Sequence, residues 1–323
     1  MRITSGVPSL LTAVAALSAL SAAAQGYPNR PIRLIVGYTP AGAGDFIARI
    51  VGDAIGKELG QSVVVDNKPG AGSTLASSLL AQAPADGYTL GLATGTLYGI
   101  DQQLYKVRYT PANFTPITRF TVSPLILAVN KDIGVSDLKQ LVAKARANPG
   151  KLNYSSSGIG GSPHIAGLSF EKAIGARMTH IPYKGGAPAL QAVATGEVQL
   201  SFGTAASVLP LGQQGVVQML GVTTAERSGI APDLPTLSTT GLPGFDFTFW
   251  FGLFGPGGLP KDVQDKLFAA ATRALADPQV KARLLGSGNE AAPSKSPVEF
   301  NDWATANGRE ALERVVQAGV KVE

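Results

Sequence analysis

The sequence of 323 residues contains no cysteine, and His164 and His180 are its only histidines. The absence of cysteine excludes disulfide bonds, catalysis by a thiolate and metal sites with cysteine ligands. Two histidines cannot form a three-histidine zinc site, and the carboxylates show no clustered metal-ligand spacing. We therefore expect no bound metal.

Several sequence motifs of common enzymes are also missing. The chain has neither the G-x-S-x-G motif of serine hydrolases nor the Walker A motif of nucleotide-binding proteins. Two segments, residues 42–44 and 158–160, begin like a dinucleotide fingerprint, but Ile47 and Pro163 stand where its third glycine belongs. The sequence therefore predicts no cofactor and no catalytic residues.

Charge is sparse, since only 15% of the residues are Asp, Glu, Lys or Arg. The net charge is +5, and the basic residues are scattered along the chain. A nucleic-acid-binding protein would need a basic stripe, so we expect no nucleic-acid partner. A mild positive charge is compatible with attraction of small anions.

Long apolar runs are confined to the first 24 residues. There Arg2 is the only charged residue, and the segment ends in Ala22, Ala23 and Ala24. Small residues at these positions suit signal-peptidase cleavage, whereas a membrane-spanning helix needs about 20 strongly apolar residues. We interpret residues 1–24 as a cleaved export signal, with a retained anchor as the alternative.

The chain after residue 24 alternates between strand and helix patterns. Residues 32–36, 63–66 and 88–93 are predicted strands, and helices are predicted from Asp45 and from Ser73. A second unit repeats this rhythm, with strands at 125–129, 152–155, 178–182 and 198–202 and helices that begin near Pro163 and Pro188. Residues 97–122 are predicted to be irregular. Two such units, joined near residues 122–125 and 223–230, predict two α/β lobes with a cleft between them.

Glycine-rich loops follow one strand of each unit, the strand at residues 32–36 in the first and the strand at residues 152–155 in the second. They are residues 37–44 and residues 156–162, and each precedes a predicted helix. The first amides of a helix have no intrahelical acceptor, and the helix dipole makes this end attractive to anions. Two such loops can hold a carboxylate through backbone amides and nearby hydroxyl groups. The alternative is that the glycines simply connect strands to helices.

The chain also carries a set of motifs that occur together and in order. They are residues 27–33 (YPNRPIR), 40–45 (PAGAGD), 63–72 (VVVDNKPGAG), 86–90 (DGYTL), 145–154 (ARANPGKLNY), 164–167 (HIAG), 178–184 (MTHIPYK) and 250–253 (WFGL). With them the sequence resembles the substrate-binding receptors of tripartite tricarboxylate transporters, the Bug or TctC-like family, over residues 27–323.

The resemblance implies an α/β fold of the type II periplasmic-binding-protein class, a two-lobed Venus flytrap with the ligand cleft between its lobes. Residues 25–123 and 224–323 would form the first lobe, and residues 124–223 the second. It further implies a monomeric periplasmic receptor that captures a small mono- or dicarboxylate, aliphatic or aromatic, and delivers it to membrane permease subunits. A carboxylate-processing enzyme of the same fold and a module that serves a signalling partner are the alternatives.

The family resemblance and the glycine loops together give one set of expected ligand-binding residues. They are Tyr38, Thr39, Ala41, Gly42, Ala43, Asp45, Thr94, Gly95, Thr96, Ser156, Ser157, Gly158, Gly160, Ser162, His164, Tyr183, Gly203 and Thr204. The chain departs from frequent family residues at Thr39, Ala41, Asp101, Gln199 and Gly203. These departures affect which ligand is expected, because Asp101 stands where asparagine is common.

Several of these side chains allow two interpretations. Asp45 is expected to cap its helix, with contact to a cationic ligand group as the alternative. His164 either donates into the cleft or has a capping or packing role, and His180 is expected to be a core histidine. Lys184 either attracts anions or is solvated. Trp250 and Phe251 are expected to pack in the core or at the hinge, with contact to the ligand as the alternative.

Overall fold

A computed structural model describes residues 26–40 and 42–320. The predicted export signal, residues 1–24, and the expected ligand contact Ala41 lie outside the described residues. Within the described ranges, no helix has both the length and the apolar character needed to cross a membrane.

The described residues alternate between strands and helices as the sequence predicts. The strands are β1 (Ile32–Val36), β2 (Val63–Asn67), β3 (Thr89–Ala93), β4 (Phe114–Asn130), β5 (Asn153–Ser156), β6 (Thr179–Pro182), β7 (Leu200–Thr204), β8 (Val217–Val222), β9 (Thr248–Pro256) and β10 (Glu290–Ala291). The helices are α1 (Ala43–Leu59), α2 (Thr74–Ala81), α3 (Ile100–Leu104), α4 (Leu138–Ala147), α5 (Ser162–Ile174), α6 (Gly186–Ala194), α7 (Ala205–Gln213), α8 (Leu237–Thr240), α9 (Lys261–Ala276), α10 (Pro278–Gly286) and α11 (Pro297–Gln317).

The two lobes have the same strand arrangement. In the first lobe the order is β2-β1-β3-β9-β4, in which β1 pairs in parallel with β2 and β3 while β9 is antiparallel to both of its neighbours. In the second lobe the order is β6-β5-β7-β4-β8, with β5 parallel to its neighbours and β4 antiparallel to its own. This is the predicted two-lobed α/β fold, and the loops after the parallel strands of each lobe lie at its carboxyl edge.

Strand β4 corrects one expectation, because residues 114–122 were predicted to be irregular. Its first part pairs with β9, and from Leu125 onward it pairs with β7 and β8. The prolines of this strand lie at tolerated positions. The register shifts directly after Pro116, and Pro124 ends the pairing with β9. One continuous strand therefore connects the two lobes.

Each lobe has its own hydrophobic core. One cluster includes Leu34, Ile47 and Phe251 in the first lobe, and another includes Leu127 and Phe170 in the second. Leu237, Leu242 and Phe245 also pack in this second cluster. We therefore propose that the second lobe extends beyond the expected boundary at residue 223, to about residue 246.

The return crossing is held to β4 by the buried side chain of Thr223. Its hydroxyl accepts a hydrogen bond from the amide of Leu125 at 2.9 Å and donates to the carbonyl of Phe247 at 2.7 Å. The backbone amides of Thr223 and Phe247 complete the connection by donating to Leu125 and Thr223. The two passages between the lobes thus form one hydrogen-bonded unit, as expected of a hinge.

Candidate functional site: the cleft between the lobes

A cavity of about 980 Å³ lies between the carboxyl edges of the two lobes. The first lobe contributes the loops after β1, β2 and β3, and the second contributes the loops after β5, β6 and β7. Residues of β4 and β9 near the crossings close its base. Its place between the lobes and its size are typical of a small-molecule site.

The structure brings together ten of the expected ligand-binding residues in the wall of this cavity. They are Tyr38, Ala43, Thr94, Thr96, Ser157, Gly158, Gly160, Ser162, Gly203 and Thr204. Seven other expected residues are described but do not line it, namely Thr39, Gly42, Asp45, Gly95, Ser156, His164 and Tyr183. Gly42 and Ser156 are directly adjacent in sequence to Ala43 and Ser157, which do line the cavity.

Helices that begin at the cavity lack side-chain caps. The N-cap residues are Gly42 for α1, Gly161 for α5, Gly185 for α6 and Thr204 for α7, and none of them accepts a capping hydrogen bond through its side chain. Helices α4, α8, α10 and α11 begin elsewhere, and each has an Asp, Thr or Ser side chain that accepts from its first turn, whereas α9 also begins elsewhere but has no side-chain cap. The first-turn amides at the cavity therefore remain available to a ligand.

The wall from the first lobe combines hydroxyl groups with aromatic rings. The Tyr38 hydroxyl hydrogen-bonds with Ser73 and Thr94, and burial raises the pKa of Tyr38 to about 12. Its ring meets Phe251 edge to face at 5.4 Å, and Phe251 meets Phe249 at 4.8 Å. Neutral donors and apolar faces at one wall suit a ligand with both polar and carbon-rich parts.

Asp101 is the one carboxylate among the residues that line the cavity. Its side chain is 2% exposed, and the hydroxyl of Tyr109 donates to its Oδ2 at 2.7 Å. Burial raises the pKa of Asp101 to about 6, although hydrogen bonds from Tyr109 and Thr96 act in the opposite direction. The departure seen in the sequence thus places an acidic group in the wall of the cleft.

The wall from the second lobe consists largely of glycine loops. A Cβ atom on Gly203 would lie 2.5 Å from the side chain of Val208, so only glycine fits there. Ser157 and Ser162 add hydroxyl groups, and the exposed Lys184 is the one cation in the cavity lining. Backbone amides and hydroxyls therefore dominate this wall.

Asp45 does not have the expected capping role. Helix α1 begins two residues before it, after Gly42, so the carboxylate lies within the first turn. It accepts hydrogen bonds from the side chains of Arg49, at 3.0 Å, and Asn67, at 2.9 Å. These partners hold Asp45 behind the loop.

The described residues contain no group of three or more His, Asp or Glu side chains that could hold a metal ion.

Comparison with known proteins agrees with this architecture. A model of the tripartite tricarboxylate transporter family receptor, TctC, matches residues 47–299. The chain belongs to this receptor family. The UPF0065 protein of the tcbD-tcbE intergenic region of Pseudomonas sp. (strain P51) is 36% identical over 261 residues, which are 80% of this chain and 77% of that protein. The family comprises periplasmic solute-binding receptors. The match confirms the family resemblance that the sequence motifs indicated.

Two solved structures with a similar fold contain a bound carboxylate. R. palustris Rpa4515 with adipate has a TM-score of 0.80 and 30% identity, and the match covers 92% of this chain and all of that one. MatC (Rpa3494) from Rhodopseudomonas palustris with bound malate has a TM-score of 0.76 and 30% identity, covering 90% of this chain and all of the other. The two-lobed periplasmic-binding-protein fold is therefore confirmed.

The two histidines of the receptor lie together behind the glycine loop of the second lobe. Their rings stack with centroids 3.8 Å apart. His164 accepts from the amide of Gly160 at 3.0 Å, and His180 contacts the hydroxyl of Ser156 at 2.7 Å. Burial lowers the pKa of His164 to about 3, helped by His180, and lowers that of His180 to about 4. Both rings support the loop from behind, which is the packing alternative for His164.

The sequence did not predict some of the residues that line the cavity. The unexpected polar ones are Ser73, Tyr105, Ser201 and Ser207, and the unexpected apolar ones include Ile100 and Phe249. Ser73 lies in the turn after β2 and Ser207 in the first turn of α7, directly after β7, and the strand pattern alone could have indicated both positions. Ile100 begins the short helix α3 and Tyr105 directly follows it, in a part of the chain whose fold no periodicity reveals. Phe251 does line the cavity, whereas Trp250 packs in the core.

Proposed function

We propose that this protein is a periplasmic solute receptor whose two lobes close around a small carboxylate and present it to the permease subunits of a tripartite transporter. The observation that carries this proposal is the cluster of uncapped helix N-termini at the cavity. Adipate and malate in related receptors give independent support for the ligand class. Closure would shift the population of open and closed forms, which the permease would distinguish.

The binding contacts we propose are amides and hydroxyls rather than a cationic side chain. The first-turn amides of α1 and α5 would hold a carboxylate from opposite lobes, together with Thr94, Thr96 and Ser157. A hydrogen bond to a charged group contributes about 1.5–3 kcal/mol, and a helix N-terminus about 0.3–1 kcal/mol to an anion. A few such contacts are sufficient for micromolar binding, about 8 kcal/mol.

We also propose that the receptor binds its ligand without chemical turnover, acts as a monomer and is exported with cleavage after residue 24. These proposals rest on the family and on the pattern of residues 1–24. N-terminal sequencing of the protein recovered from the periplasm tests the cleavage. Detection of the unprocessed chain in the membrane fraction would instead favour a retained anchor.

The proposed binding mode is tested by deleting one backbone donor. Ala43 is the first residue of α1 and lines the cavity. Proline is tolerated at this helix position and lacks the amide hydrogen, and the extended conformation of Gly42 suits a following proline. We expect Ala43→Pro to weaken carboxylate binding by at least tenfold in isothermal titration, which corresponds to about 1.4 kcal/mol.

Lys261→Pro provides the matched control for this deletion. Lys261 is the first residue of α9, follows Pro260 in an extended conformation and lies away from the cavity. It should leave the dissociation constant unchanged. Titrations with mono- and dicarboxylates, and with the neutral amides of the same acids, identify the ligand class. Binding of amides as tight as that of acids, or an unaltered affinity in Ala43→Pro, would contradict the proposed contacts.

A further inference from the structure

Asp101 holds an unusual position for a residue of an anion-binding cleft. It lies in the short helix α3 of the first lobe, lines the cavity and is 2% exposed. None of the ion pairs formed by residues 26–40 and 42–320 includes it. A buried carboxylate without a cation is costly, and such groups in a cleft are candidates for a functional role.

The neighbours of Asp101 do not supply a positive charge. Its known donors are the hydroxyls of Tyr109 and Thr96. The titratable groups that interact with it electrostatically are the phenols of Tyr38, Tyr105 and Tyr109, and each of them has a raised pKa. An ionised carboxylate offers about four acceptor sites. Two hydroxyl donors therefore leave it able to accept further hydrogen bonds from a molecule in the cavity.

The charges of the lining are also divided between the lobes. Asp101 is its one acid and belongs to the first lobe, whereas Lys184 is its one cation and belongs to the second. The amides of α5, α6 and α7 add partial positive charge to the second lobe, and those of α1 add it to the first lobe near Ala43. The side of the cavity next to Asp101 thus favours a positive group, and the opposite side favours a negative one.

The two lobes meet beside Asp101, so a small ligand can reach both sides. A Cβ atom on Gly160, in the glycine loop of the second lobe, would lie 3.6 Å from Ile100, the residue before Asp101. A ligand held by that loop therefore lies near helix α3. A second ionised carboxylate of such a ligand would face the carboxylate of Asp101, which is unfavourable in a buried site.

We propose that Asp101 selects ligands that carry a protonated amine in addition to the carboxylate, so that the preferred ligand class is an amino carboxylate. This proposal rests on the function proposed above. The carboxylate of the ligand binds the first-turn amides of α1 and α5, as proposed above, and its ammonium group donates to Asp101. Asp101 is then a specificity-determining residue of this receptor.

The experiment compares ligands of equal chain length by isothermal titration at pH 7.5. Straight-chain alkanoates are paired with their α-amino and ω-amino derivatives and with the corresponding dicarboxylates. We expect an amino carboxylate to bind at least tenfold more tightly than its alkanoate and its dicarboxylate. Asp101→Asn, which preserves shape, should remove this preference while the alkanoate affinity changes less than threefold.

Tyr109→Phe is the matched second variant, because it removes one donor to Asp101 and keeps the carboxylate. It should retain the preference for amino carboxylates, which separates the charge of Asp101 from its role in local packing. Equal binding of alkanoates and amino carboxylates, or a preference that persists in Asp101→Asn, would overturn the proposal.

The same panel distinguishes the failure of this inference from the failure of the proposed function. Carboxylates that bind without any preference for the amine contradict the role of Asp101 alone. Acids of every type that fail to bind, while their neutral amides bind, contradict carboxylate recognition itself and remove the basis of the inference.

Discussion

Gly160 and Leu104 lie against each other across the cleft, one in each lobe. A Cβ atom added to Gly160 would lie 2.5 Å from Cδ1 of Leu104, and the backbone of Gly160 has a φ of +76°. The pair adjoins an apolar cluster that includes Ile100, Ile165 and Val315. Direct contact between the lobes at this point requires glycine, both for its backbone conformation and for its lack of a side chain.

The first prediction concerns this contact. Gly160→Ala should separate the lobes and weaken ligand binding at least tenfold, because the methyl group overlaps Leu104. Gly134→Ala is the control, since Gly134 has a similar φ of +70° with no atom near its absent Cβ. Both substitutions should lower the free energy of unfolding by about 1–2 kcal/mol through backbone strain. Isothermal titration and urea unfolding measure the two effects, and equal affinity losses would refute the steric explanation.

The second prediction concerns the hinge. Thr223→Val preserves the shape of the side chain but removes the hydroxyl that joins Leu125 to Phe247. The buried amide and carbonyl lose a partner, so the free energy of unfolding should fall by about 1–3 kcal/mol. Thr224→Val, at the next and less buried position, should cost less than about 0.5 kcal/mol. Urea unfolding of both variants makes the comparison. Similar values would show that the hydroxyl of Thr223 is dispensable.

The third prediction concerns the pH dependence of stability. The carboxyl of Asp101 titrates near 3.8 when unfolded and has a pKa of about 6 in the folded protein. The folded state therefore favours the protonated form, and stability decreases as the pH rises between these values. Asp101→Asn should raise the free energy of unfolding by about 3 kcal/mol at pH 7.5 and by about 0.5 kcal/mol at pH 4. Denaturant titrations at both pH values test it, and an equal gain at both would contradict it.

The fourth prediction concerns the stacked histidines. Their folded pKa values of about 3 and about 4 lie below the ordinary value of 6.5, so the stability they contribute is lost as the pH falls from 6.5. At pH 5 this loss should be about 2 kcal/mol for each ring. His164→Asn keeps an acceptor for the amide of Gly160 and should remove about half of this loss of stability. Stability is measured in the Asp101→Asn variant, because the titration of Asp101 changes the free energy of unfolding in the opposite direction. An unchanged acid sensitivity would be contrary to this assignment.

The sequence predicts those features that depend on local pattern. The strand, glycine loop and helix at residues 32–59 occur as expected, because apolar periodicity and glycine have direct local consequences. The structure also places Thr94, Gly160 and Thr204 at one cavity, since loops that follow parallel strands share a sheet edge.

Other features depend on tertiary contacts and could not be predicted in this way. Strand β4 contains prolines that argue against a strand, and pairing with β9 and a register shift accommodate them. Asp45 has the sequence position of a cap, yet its partners Arg49 and Asn67 are decided by packing. The burial of Asp101 beside the cavity follows from the position of the short helix α3, which no periodicity of the sequence specifies.

The strand order of the first lobe also constrains how the chain can fold. Strand β9, residues Thr248–Pro256, lies between β3 and β4 in the middle of that sheet. The whole second lobe precedes it in the chain, so during synthesis or translocation from the N-terminus the second lobe becomes available before the first can be completed. The N-terminal lobe is therefore the later of the two to reach its native sheet, and its two halves must remain apart until residue 256 arrives.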